Sequence, residues 1–107
     1  MNETKEAIDN IEEIAKAPGI DGFYIGPSDL AVSFGIPIGP DTQQDPIHVA
    51  ACQKVVDVAN AAGLVPCHHG GTTAEEAARR FKEGFKMCQL GSDVGMVRAA
   101  SANALKI

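Results

Sequence analysis

An α/β fold built on a parallel sheet is what this sequence predicts, on three observations. Apolar residues recur at helical spacing in four segments, three short apolar runs lie between them, and nearly every run ends at glycine or proline. The order helix, strand, helix, strand, helix, strand, helix implies right-handed crossovers, which lay successive strands parallel in one sheet. A flavodoxin-like open sheet usually has five strands, and a closed barrel has eight in about 250 residues. Three strands in 107 residues are short for either, so residues 1–107 are read as one partial domain of a larger architecture.

Each element has a local cause. Ala7, Ile8, Ile11, Ile14 and Ala15 share a helical face, so a helix is expected over 5–17, capped by Thr4 and stopped at Pro18-Gly19. Gly22-Phe23-Tyr24-Ile25 reads as a buried strand that ends in a loop at Gly26-Pro27. Residues 35–44, rich in Pro and Gly, are expected to be an irregular loop. Asp45-Pro46 offers a cap with proline at the first helical position, opening a helix to about Ala62 that buries Val49, Cys52, Val55, Val56 and Ala59. Residues 64–68 form the second strand, with Pro66 as an unfavourable member because it cannot donate to a ladder. Thr73 and Glu76 have the spacing of a capping box for a helix over 74–83. Residues 85–90 are the third strand, and Gly91-Ser92-Asp93 opens the last helix, 94–106, with Asp93 as its cap.

Composition excludes several classes of partner. The net charge is −5 and no cluster of Lys or Arg occurs, which argues against nucleic acid and against an anionic membrane surface. No apolar run approaches the roughly 20 residues that span a bilayer, and the charged first 16 residues lack a signal-peptide core. A cytoplasmic location is the expectation. Cys52, Cys67 and Cys88 form no CxxC pattern and are odd in number, so they read as buried thiols in a reducing compartment. His48, near a helix start, is expected to be solvated. His68 and His69 are adjacent on a strand and point to opposite faces, which disfavours a shared metal.

The densest segment is Gly26-Pro27-Ser28-Asp29-Leu30, at the C-terminal end of a predicted strand, where α/β folds place their sites. Asp29 offers a hard oxygen ligand, and loop N–H groups can bind a carboxylate. The same residues also read as an ordinary turn with Asp29 capping a helix. Glu3 by itself reads equally as a first-turn helix carboxylate.

The stretch Asp21-Gly22-Phe23-Tyr24-Ile25-Gly26-Pro27-Ser28-Asp29-Leu30-Ala31, followed by Gly35, resembles the DGxxxGPxDL signature of the HpcH/HpaI aldolases, which include the hydroxy-oxo-heptanedioate and dehydro-deoxy-glucarate aldolases. Glu3-Thr4 with the helix after it and Pro18-Gly19 is similar to the family's run before that signature, and Leu90-Gly91-Ser92-Asp93 to its final strand and GSD turn. The resemblance implies the C-terminal half of a (β/α)8 barrel. It implies that Glu3 and Asp29 bind one divalent cation, Mg2+ or Mn2+ with Co2+ also compatible. It implies that Gly26, Pro27, Ser28 and Asp29 contact a small 2-keto acid, with the Ser28 and Asp29 amides on the pyruvate carboxylate. The reaction implied is cleavage of a 2-keto-4-hydroxy acid to pyruvate and an aldehyde, with the metal as Lewis acid toward the enolate. Alternatives are a citrate-lyase-β-like C–C lyase and a non-catalytic half-barrel module.

The family's base-supporting His and pyruvate-binding Arg lie before the segment present here, and its Gln two residues before the metal Glu falls on Met1. No residue of this chain is therefore assigned as catalytic, and Glu3 is expected to hang from a terminus without its own strand. The Gly70-Gly71 and Gly91-Ser92 loops follow the strands after which barrels often bind phosphate. A sheet of three parallel strands leaves an unpaired edge, so homo-oligomerisation is expected.

Overall fold

The computed structural model describes residues 1–71 and 73–106; Thr72 in the predicted second loop and Ile107 lie outside them. Its sheet has three parallel strands in the order β1 (Gly22–Ile25), β2 (Val65–His68), β3 (Met87–Cys88). The register pairs Tyr24 with Cys67 and Ile25 with His68, then Cys67 with Met87 and His68 with Cys88. The α/β class and the parallel order are as the alternation predicts.

The first helical stretch is two short pieces, α1 (Lys5–Asp9) and α2 (Ile11–Ile14), rather than one helix to residue 17. Thr4 caps it as expected, accepting from Ala7 N. The break falls at Asn10, whose side chain donates to the Glu6 carbonyl at 3.0 Å, a local bond that competes with helix propagation. Ile8 and Ile11 still reach the core from their separate pieces.

The segment after β1 is a helix, α3 (Pro27–Ser33), where a loop was expected. Gly26 is its cap residue and Pro27 its first helical residue, so Asp29 lies inside the first turn and caps nothing. The signal was Pro27 itself, since proline is favoured at the first position of a helix. Residues 35–44 are irregular apart from a 3-10 turn at Thr42–Gln44.

Helix α4 (Pro46–Ala61) starts as predicted, with Asp45 accepting from Ile47 N. Its buried stripe is His48, Ala51, Cys52, Val55, Val56 and Ala59. Val49 is half exposed, so the stripe begins one residue earlier than expected and includes a histidine. With Ile8, Ile11, Phe23, Ile25, Leu30 and Phe85 this stripe forms the core against one face of the sheet.

Pro66 occupies the central strand without penalty because of where it points. Its carbonyl accepts from Lys86 N at 2.9 Å on the β3 side, and the β2–β3 pairing begins only at the next residue, Cys67. The amide hydrogen that proline lacks would face no ladder partner there. Strand β3 is two residues long, not six, and residues 85–86 and 89–90 lie outside it. Helix α5 (Ala74–Lys82) carries the predicted capping box in both directions, Thr73 with Glu76. The last helix, α6 (Asp93–Ala104), is capped by Ser92, whose hydroxyl accepts from Gly95 N, and not by Asp93. No residue of α6 is buried. Among the described residues no helix is long and apolar enough to cross a membrane.

Candidate functional site

The C-terminal ends of β1 and β2 and the chain before α1 meet around one cavity of about 310 Å3, lined by Met1, Glu3, Gly26, Pro27, Ser28, Asp29 and His69. All of the sequence-predicted ligand and substrate residues, Glu3 and Gly26 to Asp29, are on that lining.

Glu3 does not hang free. Asn2 forms a parallel bridge with Ile25, its amide donating to the Tyr24 carbonyl at 2.7 Å, and Asn2 is 3% exposed. This bridge extends the sheet beyond β1 and delivers the next side chain, Glu3, to the strand end. Gly26 makes room for it: a β-carbon there would stand 2.6 Å from Glu3 Oε1, closer than any side chain tolerates.

Asp29 is presented by α3. Leu30 and Ala31, both fully buried, anchor that helix in the core. Leu30 N donates to the Gly26 carbonyl, while the Ser28 and Asp29 amides of the first turn meet no acceptor among the described residues. The carbonyl of Pro27 is held from behind by His48, whose Nε2 lies 2.9 Å from it. His48 Nδ1 lies 3.6 Å from Cys52 Sγ, and burial pushes the Cys52 thiol up to about 12, so the thiol remains protonated and donates to the ring. His48 is therefore a buried strut, 1% exposed, where a solvated side chain was expected. Its i,i+4 relation to Cys52, in step with Val55, Val56 and Ala59, was the available signal.

His68 and His69 separate to opposite faces, as alternation requires. His68 is fully buried on the helix side, edge-on to Phe85 with ring centroids 5.0 Å apart. Among the described residues neither of its nitrogens makes a well-formed hydrogen bond. Burial, reinforced by the nearby Arg80 guanidinium, pulls its pKa down to about 4, so it is neutral. His69 lies at the cavity, its Nδ1 2.7 Å from the Tyr24 hydroxyl. Sequence reading left it without a role.

The Gly70-Gly71 loop lines a different cavity of about 180 Å3 with Gln43, Glu76, Arg79 and Arg80, and neither it nor Gly91-Ser92 lines the Glu3–Asp29 cavity. Arg80 is buried there, bonded to Glu83 at 2.7 Å and to Gln43. All three cysteines are free; Cys52 and Cys67 are buried and Cys88 is half-buried. No group of three or more His, Cys, Asp or Glu side chains is arranged to hold a metal among the described residues. Among the described residues the cavity offers a cation two carboxylates, Glu3 and Asp29.

Parallel strands with covering helices, and Glu3 and Asp29 on one cavity at the C-terminal strand ends, match a segment of a barrel-type α/β fold. The family model described as HpcH/HpaI aldolase/citrate lyase matches residues 2–100, and the chain belongs to that family. A hydroxypyruvate/pyruvate aldolase of Rhizorhabdus wittichii is 37% identical over a 108-residue alignment that takes in 98% of this chain and 41% of that protein. A 5-keto-4-deoxy-D-glucarate aldolase of Salmonella arizonae is 34% identical over 103 residues, 92% of this chain and 37% of that protein. Two solved structures superpose with a TM-score of 0.83: an HpcH/HpaI aldolase from Desulfitobacterium hafniense, 27% identical with 97% of this chain and 39% of that one covered, and an HpcH/HpaI aldolase/citrate lyase family protein from Burkholderia cenocepacia, 30% identical with 98% and 39% covered. The chain thus spans about 40% of the length of its relatives, and its fold is half of a (β/α)8 barrel.

Proposed function

We propose that this chain carries site residues of a divalent-metal-dependent lyase that cleaves a 2-keto-4-hydroxy acid to pyruvate and an aldehyde. The observation that carries the reading is the convergence of Glu3, Asp29 and the free Ser28 and Asp29 amides on one cavity. The aldolases among the relatives give the reaction class. Glu3 and Asp29 would hold the cation, and the chemistry of the donor set fits: two hard carboxylates, completed by water and substrate oxygens, suit Mg2+ or Mn2+, and Co2+ as well. Gly26 is part of that fit, because only a residue without a β-carbon leaves Glu3 its place. When bound, the cation supplies Lewis-acid stabilisation of negative charge on the keto oxygen.

The chain's own groups bind and orient. The Ser28 and Asp29 amides point two donors at the acid's carboxylate, and the His48–Pro27 contact holds the helix start that presents them. Cleavage breaks the C3–C4 bond of the substrate. The C4 hydroxyl gives its proton to a water molecule as the aldehyde forms, the bonding pair becomes a C2=C3 bond with the charge on the keto oxygen, and C3 then takes a proton back from water to give pyruvate.

Titrating Mn2+ by calorimetry into the chain, Asp29→Ala and Gly26→Ala tests the reading. Asp29→Ala is expected to abolish measurable binding and Gly26→Ala to weaken it by displacing Glu3. Equal affinity in all three removes the two carboxylates from metal binding.

A further inference from the structure

We infer that His69 is a substrate-contacting residue of this cavity, its imidazole binding the C4 oxygen of the 2-keto-4-hydroxy acid. The inference rests on the reading of the Glu3–Asp29 cavity given above.

Position is the first argument. Among the described residues that line the cavity, His69 alone comes from the β2 end; the others flank β1 or precede α1. It therefore faces the carboxylates and the amides from the other side of the space. Those groups account for the keto-carboxylate end of the substrate. Among the described residues, the oxygen that these groups leave without a partner is the one on C4.

Pre-organisation is the second. The His69 backbone amide donates to the Ile25 carbonyl at 2.9 Å, which fixes the residue just past the strand. Its ring meets Tyr24 edge-on, with centroids 5.6 Å apart and planes at 73°, and the Tyr24 hydroxyl lies 2.7 Å from Nδ1. Burial, with smaller contributions from Cys67 and Cys88, raises the Tyr24 pKa above its usual 10. With the phenol as donor to Nδ1, the ring proton sits on Nε2. Nε2–H is then the ring donor open to a ligand. A hydroxyl oxygen accepts from it before cleavage and an aldehyde carbonyl oxygen accepts afterwards, so one geometry serves both. A group already held by a neighbour loses little freedom when it binds, which is how a single bond becomes selective.

The contrast with His68 sharpens the assignment. The preceding ring is sealed against Phe85 on the helix face and cannot meet a ligand in this cavity. His69 is exposed, so replacing it leaves the core intact.

Two measurements on the 107-residue chain test this. In the first, trace Mn2+ is added and the ring resonances of the three histidines are followed by NMR. His69 is expected to broaden, with His48 and His68 affected less. Broadening of the Gly26 and Leu30 amides without His69 overturns the inference; broadening nowhere brings down the two-carboxylate reading and this inference with it. In the second, binding of pyruvate and of 4-hydroxy-2-oxopentanoate is compared with Mg2+ present. His69→Ala is expected to weaken the hydroxy acid about tenfold, the worth of one good hydrogen bond, and to leave pyruvate unchanged. His69→Asn, which keeps a donor, recovers part of the loss, and Tyr24→Phe, which keeps the ring but frees it, loses less than His69→Ala. Asp29→Ala weakens both ligands, which reports on the site and not on His69. Equal weakening of both ligands by His69→Ala, or of neither, overturns the inference.

Discussion

Helices α4 and α6 begin in the same way and end in opposite circumstances. Each opens on a side-chain cap, Asp45 in one and Ser92 in the other, and each carries several apolar residues. In α4 those residues fall on one stripe that packs on β1, β2 and the first two helices. In α6 Val94, Met96 and Val97 are all more than half exposed, and Leu105 just beyond is 81% exposed. Local signals decide whether a helix forms, while packing decides what it contributes. The core cluster is built without α6, none of whose residues is buried.

That contrast breaks most sharply at its buried end. Val55 is fully buried in the centre of α4's stripe. Val55→Asp places an unpaired charge among Ile8, Ile11 and Phe23 and is expected to cost about 4 kcal/mol or more, enough to unfold the chain. Loss of the circular-dichroism melting transition is the readout. A cooperative melt within a few degrees of the parent would mean that the core lies elsewhere.

The second effect comes from the buried histidine beneath that stripe. Burial holds His68 at about 4 in the folded state against its ordinary 6.5. The unfolded chain therefore binds a proton between those values that the folded chain refuses. Stability is full above about pH 6.5 and falls as the pH drops toward 4, by up to about 3 kcal/mol. His68→Leu, which cannot titrate, is expected to flatten this slope in denaturant titrations at pH 7 and pH 4.5. An unchanged slope would transfer the acid sensitivity to other groups.

How legible these features were follows the same division. Thr4, Asp45-Pro46 and the Thr73–Glu76 box act within three residues of themselves, and each is where the sequence places it. The Gly-Pro-Ser-Asp run and Glu3, which line one cavity, were legible as neighbours through their motif, and Pro27 was the local signal that a helix starts there. What stayed hidden depends on contacts made across crossovers. Asn2 pairs with β1 across 23 positions, so the anchoring of Glu3 could not be read from its neighbours. His48 is buried because Pro27, 21 residues earlier, offers it a carbonyl. Alternation separates His68 from His69, but which of them faces the cavity is set by the helices covering the other side of the sheet. The shortness of β3 is a tertiary outcome too, since its residues are apolar enough for a longer strand.

The smallest effect on stability is expected at α6, and it is the one that tests the contrast directly. Val97→Asp changes a side chain that is 67% exposed and touches no part of the core. Its melting curve should match the parent's within about 0.5 kcal/mol, the usual range for a surface position. Its effect should appear in association instead. Apolar surface left in water carries about 25 cal/mol per Å2, and the exposed row on α6 adds to the open strand edges of a three-stranded sheet. A second copy can cover both, and a two-fold pair is the commonest closed arrangement. The parent chain is therefore expected to self-associate at micromolar concentration in size exclusion with light scattering, and Val97→Asp, which puts a charge where the two copies would meet, to shift it toward monomer. A parent that is already a stable monomer would show that the exposed row on α6 needs no second copy. Association undiminished by Val97→Asp would place the contact on the sheet edge, leaving α6 a helix held by its cap and its own backbone alone.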